Sequence, residues 1–118
     1  MAAALLASPV YAQGGFLREA DDIPLAPALE EAADGAAFTG AAGRLLALTA
    51  SGAATGADVR AFYEAAMAPL GWSQPPGSDG PLVFQRGRER LTITIVANGA
   101  VVQVRYRLVT RGASMALD

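Results

Sequence analysis

Arginines supply most of the chemistry that this sequence offers. Arg86, Arg88 and Arg90 alternate around a glycine turn, and Arg105 and Arg107 flank Tyr106. A guanidinium presents paired N–H donors at the spacing of a carboxylate or phosphate, so these residues suit anion binding better than bond making. Carboxylates are the other candidates. Glu64 with Asp58 or Glu89 could be imagined as the acid pair of a glycoside hydrolase, but nothing in their spacing sets them across a cleft. Asp21, Asp22, Glu30, Glu31 and Asp34 do not follow an EF-hand calcium loop and read as a solvated acidic surface. Tyr63 and Trp72 could flank a ligand cleft, although aromatics at helical spacing read first as core.

What is absent narrows the chemistry further. The 118 residues include no cysteine and no histidine, and all nine basic residues are arginine. Zinc sites of the Cys/His kind, Ser-His-Asp and Cys-His nucleophiles, Schiff-base chemistry and the P-loop lysine are therefore excluded, and neither a metal nor a cofactor is expected. A net charge of −2 argues against general nucleic-acid binding. No aromatic residue interleaves with Arg86, Arg88 and Arg90, which leaves a stacking platform for single strands unsupported. The charge is unevenly spread: residues 1–80 hold three arginines and nine acids, residues 81–118 six arginines and two acids. The halves are expected to complement each other within the fold, with a basic partner-binding face as the sharper alternative.

The element that must position these groups is the stretch from Ala57 to Trp72. Val59, Phe62, Ala66 and Leu70 recur at three- and four-residue spacing with Tyr63 and Met67 beside them, which predicts one amphipathic helix. Thr55 and Asp58 resemble a capping box that would start the helix at Gly56 or Ala57. Pro69 disrupts its last turn and Gly71 suits the left-handed closing position. Upstream, Arg44–Ala50 alternates with Leu46, Leu48 and Ala50 on one side and reads as a strand. Downstream, Trp72–Gln74 reads as a short strand, followed by two hairpins. A type II′ turn at Gly87-Arg88 pairs Phe84 with Leu91 and Leu82 with Ile93. A type I′ turn at Asn98-Gly99 pairs Ile95 with Val102, Ile93 with Val104 and Leu91 with Tyr106. Both registers put the same apolar side chains on one face, as a genuine meander requires. The expected fold is α+β: a single helix packed on a curved antiparallel sheet, in the order β-α-β-β-β-β, with an extended N-terminal arm. The opposite face then carries Val83, Gln85, Thr92, Thr94, Gln103, Arg105 and Arg107, with the cluster Arg86, Arg88 and Arg90 extending it at the turn.

Met1–Ala12 is short, apolar and uncharged, and ends in the small-x-small pattern Val10-Tyr11-Ala12, so it reads as an export signal cleaved after Ala12. Pro9, Gln13 and Gly14-Gly15 interrupt the apolar run before it reaches the length of a membrane span. Residues 13–43 read as an acidic, proline-containing arm draped over the domain, pinned by Ile23, Leu25, Leu29 and Phe38, with one helical turn at Leu29–Asp34. Residues 44–111 form the α+β domain and 112–118 a flexible tail.

Asp22-Ile23-Pro24-Leu25, Gly43-Arg44-Leu45, Val59-Arg60-Ala61-Phe62-Tyr63, Leu70-Gly71-Trp72, Phe84-Gln85-Arg86 and Leu91-Thr92-Ile93 together resemble small exported bacterial proteins of unassigned function. Their common element is a helix of the FY…LGW kind followed by strands. The resemblance spans most of residues 22–109 and implies a fold and no catalytic residue. The expectation is a non-catalytic periplasmic or secreted domain that binds an envelope protein or serves as a structural accessory. The alternative is a binder of an acidic small ligand, lipid headgroup or glycan through Arg105, Arg107, Gln103, Thr92, Thr94, Arg86 and Arg88. A carboxylate-dependent hydrolase is the third reading.

Overall fold

The computed structural model describes residues 15–18, 20, 22–33, 35–75 and 80–112. The expected signal segment 1–12 and the tail beyond 112 lie outside the described residues. Among the described residues, six strands, β1 (Leu29–Glu31), β2 (Ala36–Gly40), β3 (Gly43–Gly52), β4 (Leu82–Arg86), β5 (Glu89–Asn98) and β6 (Val101–Arg111), accompany one α-helix, α1 (Gly56–Ala66). All pairings are antiparallel, in the order β1-β3-β6-β5-β4, and β2 also pairs with β3. The α+β class with a helix on one face of an antiparallel sheet is as expected.

Alternation decides the faces. Leu46, Leu48 and Ala50 of β3, Leu82 and Phe84 of β4, Leu91 and Ile93 of β5, and Val102, Val104, Tyr106 and Leu108 of β6 are all buried on the inner face. Helix α1 packs against β5 on that face. Thr55 caps α1 as expected, its Oγ1 accepting from the Asp58 N–H at 3.0 Å. The buried stripe is Val59, Tyr63 and Met67, with Phe62 at its flank and Leu70 exposed. The helix ends sooner than its apolar spacing implies. A 3₁₀ turn at Ala68–Leu70 shifts the angular phase, so Leu70 leaves the stripe, and Gly71 (φ 94°) closes the turn in the left-handed region.

Two expected features of the sheet change. The described residues of Leu29–Asp34 form no helical turn: Leu29–Glu31 pairs with Ala50–Gly52 of β3, and Ala36–Gly40 pairs with Gly43–Ala47. Residues 13–43 are therefore not an arm laid over a finished domain, because two of the sheet's strands come from them. Conversely, Trp72–Gln74 contributes only a single bridge, Ser73 to Gln85. The alternation was too short in Leu29–Glu31, and too poor in large apolar residues in Ala36–Gly40, to stand out before β3 was there to pair with.

The Gly87-Arg88 hairpin has the expected register, Phe84 opposite Leu91 and Leu82 opposite Ile93. In the second hairpin Asn98 instead pairs with Val101, which moves Ile93 opposite Tyr106 and Leu91 opposite Leu108. Only Gly99 has positive φ there (69°), so the loop is Gly99-Ala100 in the glycine-first pattern of a II′ turn. A shift of two residues keeps every side chain on its face, which is why apolar alternation could not distinguish the two registers. On the inner face the observed pairing sets Leu108 against Leu91, where the other would set it against Glu89.

The segment before β1 belongs to the core. Leu17, Ala20, Ile23, Leu25, Ala26 and Leu29 are buried, and Leu17 N–H donates to the Ile23 carbonyl at 2.9 Å. Tyr63 ties this segment to the sheet. Its hydroxyl donates to the Pro24 carbonyl (2.9 Å), accepts from the Ala26 N–H (3.2 Å) and lies 2.5 Å from the Tyr106 hydroxyl. With its one hydrogen committed to Pro24, Tyr63 accepts from Tyr106. Phe38, expected to pin the same segment, is 61% exposed. It pairs with Leu45, so it faces away from the side on which Leu46 is buried.

Candidate functional site

The outer face of the sheet is built in rows that the strand registers set. One row runs Thr49, Arg105, Thr94 across β3, β6 and β5. The next runs Ala36, Ala47, Arg107, Thr92, Val83 from β2 to β4. A third runs Phe38, Leu45, Val109, Arg90, Gln85, and beyond it Arg111 stands opposite Gly43. Adjacent strands lie about 4.8 Å apart, so each row places its side chains close enough to engage one ligand together.

Of the residues singled out in the sequence, Arg105, Arg107, Gln103, Thr92 and Thr94 share this face. Arg105 Nη2 donates to Gln103 Oε1 at 3.5 Å. Arg88 sits at the β4–β5 turn and lines a hollow of about 560 Å³ with Arg90, Thr92, Arg107 and Arg111. A second hollow of about 580 Å³, sharing Thr92 and Arg107, extends over Thr49, Thr94 and Arg105. The described part of the N-terminal segment packs on the inner face, and no other described segment covers this side. Arg90, noted in the sequence as part of the turn cluster, lies on this face, and so does Arg111, which sequence reasoning passed over. The signal was there: Arg111 has the same parity as Arg107.

Arg86 is the exception. Alternation turns it to the inner side, where Nη2 and Nε donate to Glu89 Oε1 at 2.7 and 3.0 Å and Nη1 donates to the Leu70 carbonyl at 3.3 Å. It also donates to the Asp22 carboxylate, and its guanidinium carbon lies 4.3 Å from the centre of the Trp72 ring. The hydrogen bond to Asp22 raises its pKa further, against the opposing effect of burial. Arg86 is thus a strut between the N-terminal segment, the 3₁₀ turn and the β4–β5 hairpin, and not part of the open face.

Among the described residues, charge pairing between the two halves of the chain is thin. Among the described residues the ion pairs are Arg18–Glu31, Arg60–Glu64, Arg86–Asp22 and Arg86–Glu89, and only Arg86–Asp22 joins the acidic half to the basic one. No carboxylate among the described residues pairs with Arg90, Arg105, Arg107 or Arg111. The chain matches no family model, no curated protein and no solved structure. The other candidates are placed by geometry alone. Glu64 pairs with Arg60 along α1 at 3.4 Å, while Glu89 is held by Arg86 and is the one acid among the described residues that lines the arginine hollow. Among the described residues no group of three or more acids could hold a metal ion.

Tyr63 and Trp72 are both core. Burial pushes the Tyr63 hydroxyl up to about 12, against the lowering effect of its hydrogen bonds from Tyr106 and Ala26, and burial beside Tyr63 raises Tyr106 as well. Both are neutral hydrogen-bonding groups at ordinary pH and hold structure together. No helix among the described residues is long and apolar enough to cross a membrane.

Proposed function

We propose that this chain is a non-catalytic exported binding domain whose outer sheet face recognises an anionic component of the cell envelope. One observation carries the reading: Arg90, Arg105, Arg107 and Arg111 converge on one open face, with no carboxylate partner among the described residues. Forked guanidinium donors interleaved with Thr49, Thr92 and Thr94 hydroxyls match phosphate or carboxylate oxygens, and an arginine with no carboxylate partner among the described residues suits an outside anion. The chain's net charge of −2 makes the face a local feature, so attraction to polyanions depends on these four side chains and not on the whole molecule.

Titration of the full chain with polyphosphate, followed by calorimetry at low and moderate salt, tests the reading. Binding that weakens with salt and falls at least tenfold in a variant carrying R90Q, R105Q, R107Q and R111Q supports it. Binding unchanged in that variant, or absent from the wild type at low salt, rejects it. The export part of the proposal rests on the apolar segment ending Val10-Tyr11-Ala12. It is tested by fractionating the producing bacterium and sequencing the mature N-terminus, which is expected at Gln13.

A further inference from the structure

The arginine hollow does not end in polar surface. Val109 lies both in that hollow and in an adjoining one of about 330 Å³, whose mostly apolar lining includes Leu45 and Phe38. Phe38, Leu45 and Val109 are direct cross-strand partners in a single row, and the row continues into Arg90. Phe38, more than half exposed, is among the most exposed large apolar side chains of the described residues. Leu45 and Val109 are half-buried and form the floor between it and the arginines. On a sheet face open to water, an unbroken apolar strip that leads into the cations sets apolar and anion-binding surface side by side.

We infer that the ligand is an amphiphilic anion: a single-chain phosphate monoester or carboxylate, bound as a monomer. Its headgroup sits among Arg90, Arg107 and Arg111, and its hydrocarbon chain crosses Val109 and Leu45 to Phe38. The inference rests on the anion-binding reading above and adds the chain to it. Charge complementarity sets the orientation, because the cations stand at one end of the strip. From Val109 to Phe38 the strip crosses two strand spacings, about 10 Å, which suits one extended chain of medium length. A strip one side chain wide admits one chain, whereas docking on a bilayer would call for several apolar side chains projecting together.

Calorimetric titration of the full chain with dodecyl phosphate below its micelle concentration, butyl phosphate, inorganic phosphate and the neutral dodecyl maltoside tests this. A fully enclosed methylene contributes about fourfold in affinity. On an open face about half of that free energy is expected, so dodecyl phosphate should bind on the order of a hundredfold more tightly than butyl phosphate. F38A, at the far end of the strip and beyond the reach of a four-carbon chain, should erase much of that chain-length preference while leaving butyl phosphate binding unchanged; R90Q and R107Q should weaken both ligands. Urea midpoints of all variants, whose positions lie on the outer face, confirm that the fold is intact. Equal binding of butyl and dodecyl phosphate overturns the amphiphile and leaves the anionic reading standing. Binding of dodecyl maltoside as tight as that of dodecyl phosphate, or binding only to anionic vesicles and not to monomers, also overturns it. No binding of any phosphate, polyphosphate included, removes the anionic reading as well.

Discussion

Tyr63 and Tyr106 touch through their hydroxyls, yet their removal should have unequal consequences. Tyr63→Phe deletes the one oxygen that accepts from Ala26 N–H at 3.2 Å and from Tyr106, and that donates to the Pro24 carbonyl at 2.9 Å. Three polar groups then lose a partner in a site that the side chain of Phe cannot wet. At about 1–3 kcal/mol for each buried group left unpaired, with some relaxation, the expected cost is about 4 kcal/mol. Tyr106→Phe removes one donor and leaves Tyr63 bonded to both Pro24 and Ala26, so about 1 kcal/mol is expected. Urea denaturation of both variants at neutral pH measures the difference, and a thermal scan should show it as a midpoint lower by roughly 15–20 °C in the Tyr63 variant. If Y106F costs as much as Y63F, the assignment of donors in this pair is wrong, and with it the claim that Tyr63 ties the N-terminal segment to the sheet.

The same pair makes stability fall in alkali. The folded Tyr63 pKa is raised to about 12 from the ordinary 10, so its contribution is complete below about pH 10 and disappears as pH rises through about 12. Urea midpoints measured across that window should drop in the wild type, with a clearly smaller drop in a Y63F/Y106F double variant. Arg86→Ala removes the bonds to Asp22, Glu89 and Leu70 and the stack on Trp72, and should cost about 2 kcal/mol by urea titration without altering polyphosphate affinity. A matching loss of affinity would return Arg86 to the binding face. Gly99→Ala meets nothing within 4 Å and carries only the strain of its left-handed φ, about 1 kcal/mol. Gly52→Ala would place a Cβ at 1.9 Å from the Ala28 carbonyl oxygen, so it should cost several times more and loosen β1.

What could be read in advance divides along physical lines. Val59 and Tyr63 on α1 and the alternation of Phe84, Ile93 and Val104 were legible because burial writes a period into the sequence, and Gly87 was legible because a II′ turn demands positive φ at its first position. β1 and β2 were not, since Leu29–Glu31 and Ala36–Gly40 carry too few large apolar residues to announce a period and become strands only by borrowing hydrogen bonds from β3. Arg86 misled because its type, not its parity, was taken as the signal. Phe38 misled for the converse reason: its apolar character suggested core, while its pairing with Leu45 turns it outward.

The second hairpin shows why the outer face was harder to read than the inner one. With Asn98-Gly99 as the loop, Arg107 would stand directly opposite Arg90, a like-charge cross-strand pair of the kind that destabilises a sheet. The observed loop at Gly99-Ala100 sets Arg107 against Thr92, Arg105 against Thr94 and Arg90 against Val109. The inner residues accept either register with their faces unchanged, so the choice between them falls in part to the outer charges. Its outcome spaces the arginines with threonines on one side of Arg107 and inserts Val109 between Arg90 and Leu45. Separating the cations and joining the apolar strip to them are thus one event, a two-residue slip of β6 along β5, and the binding face proposed here exists only in the slipped register.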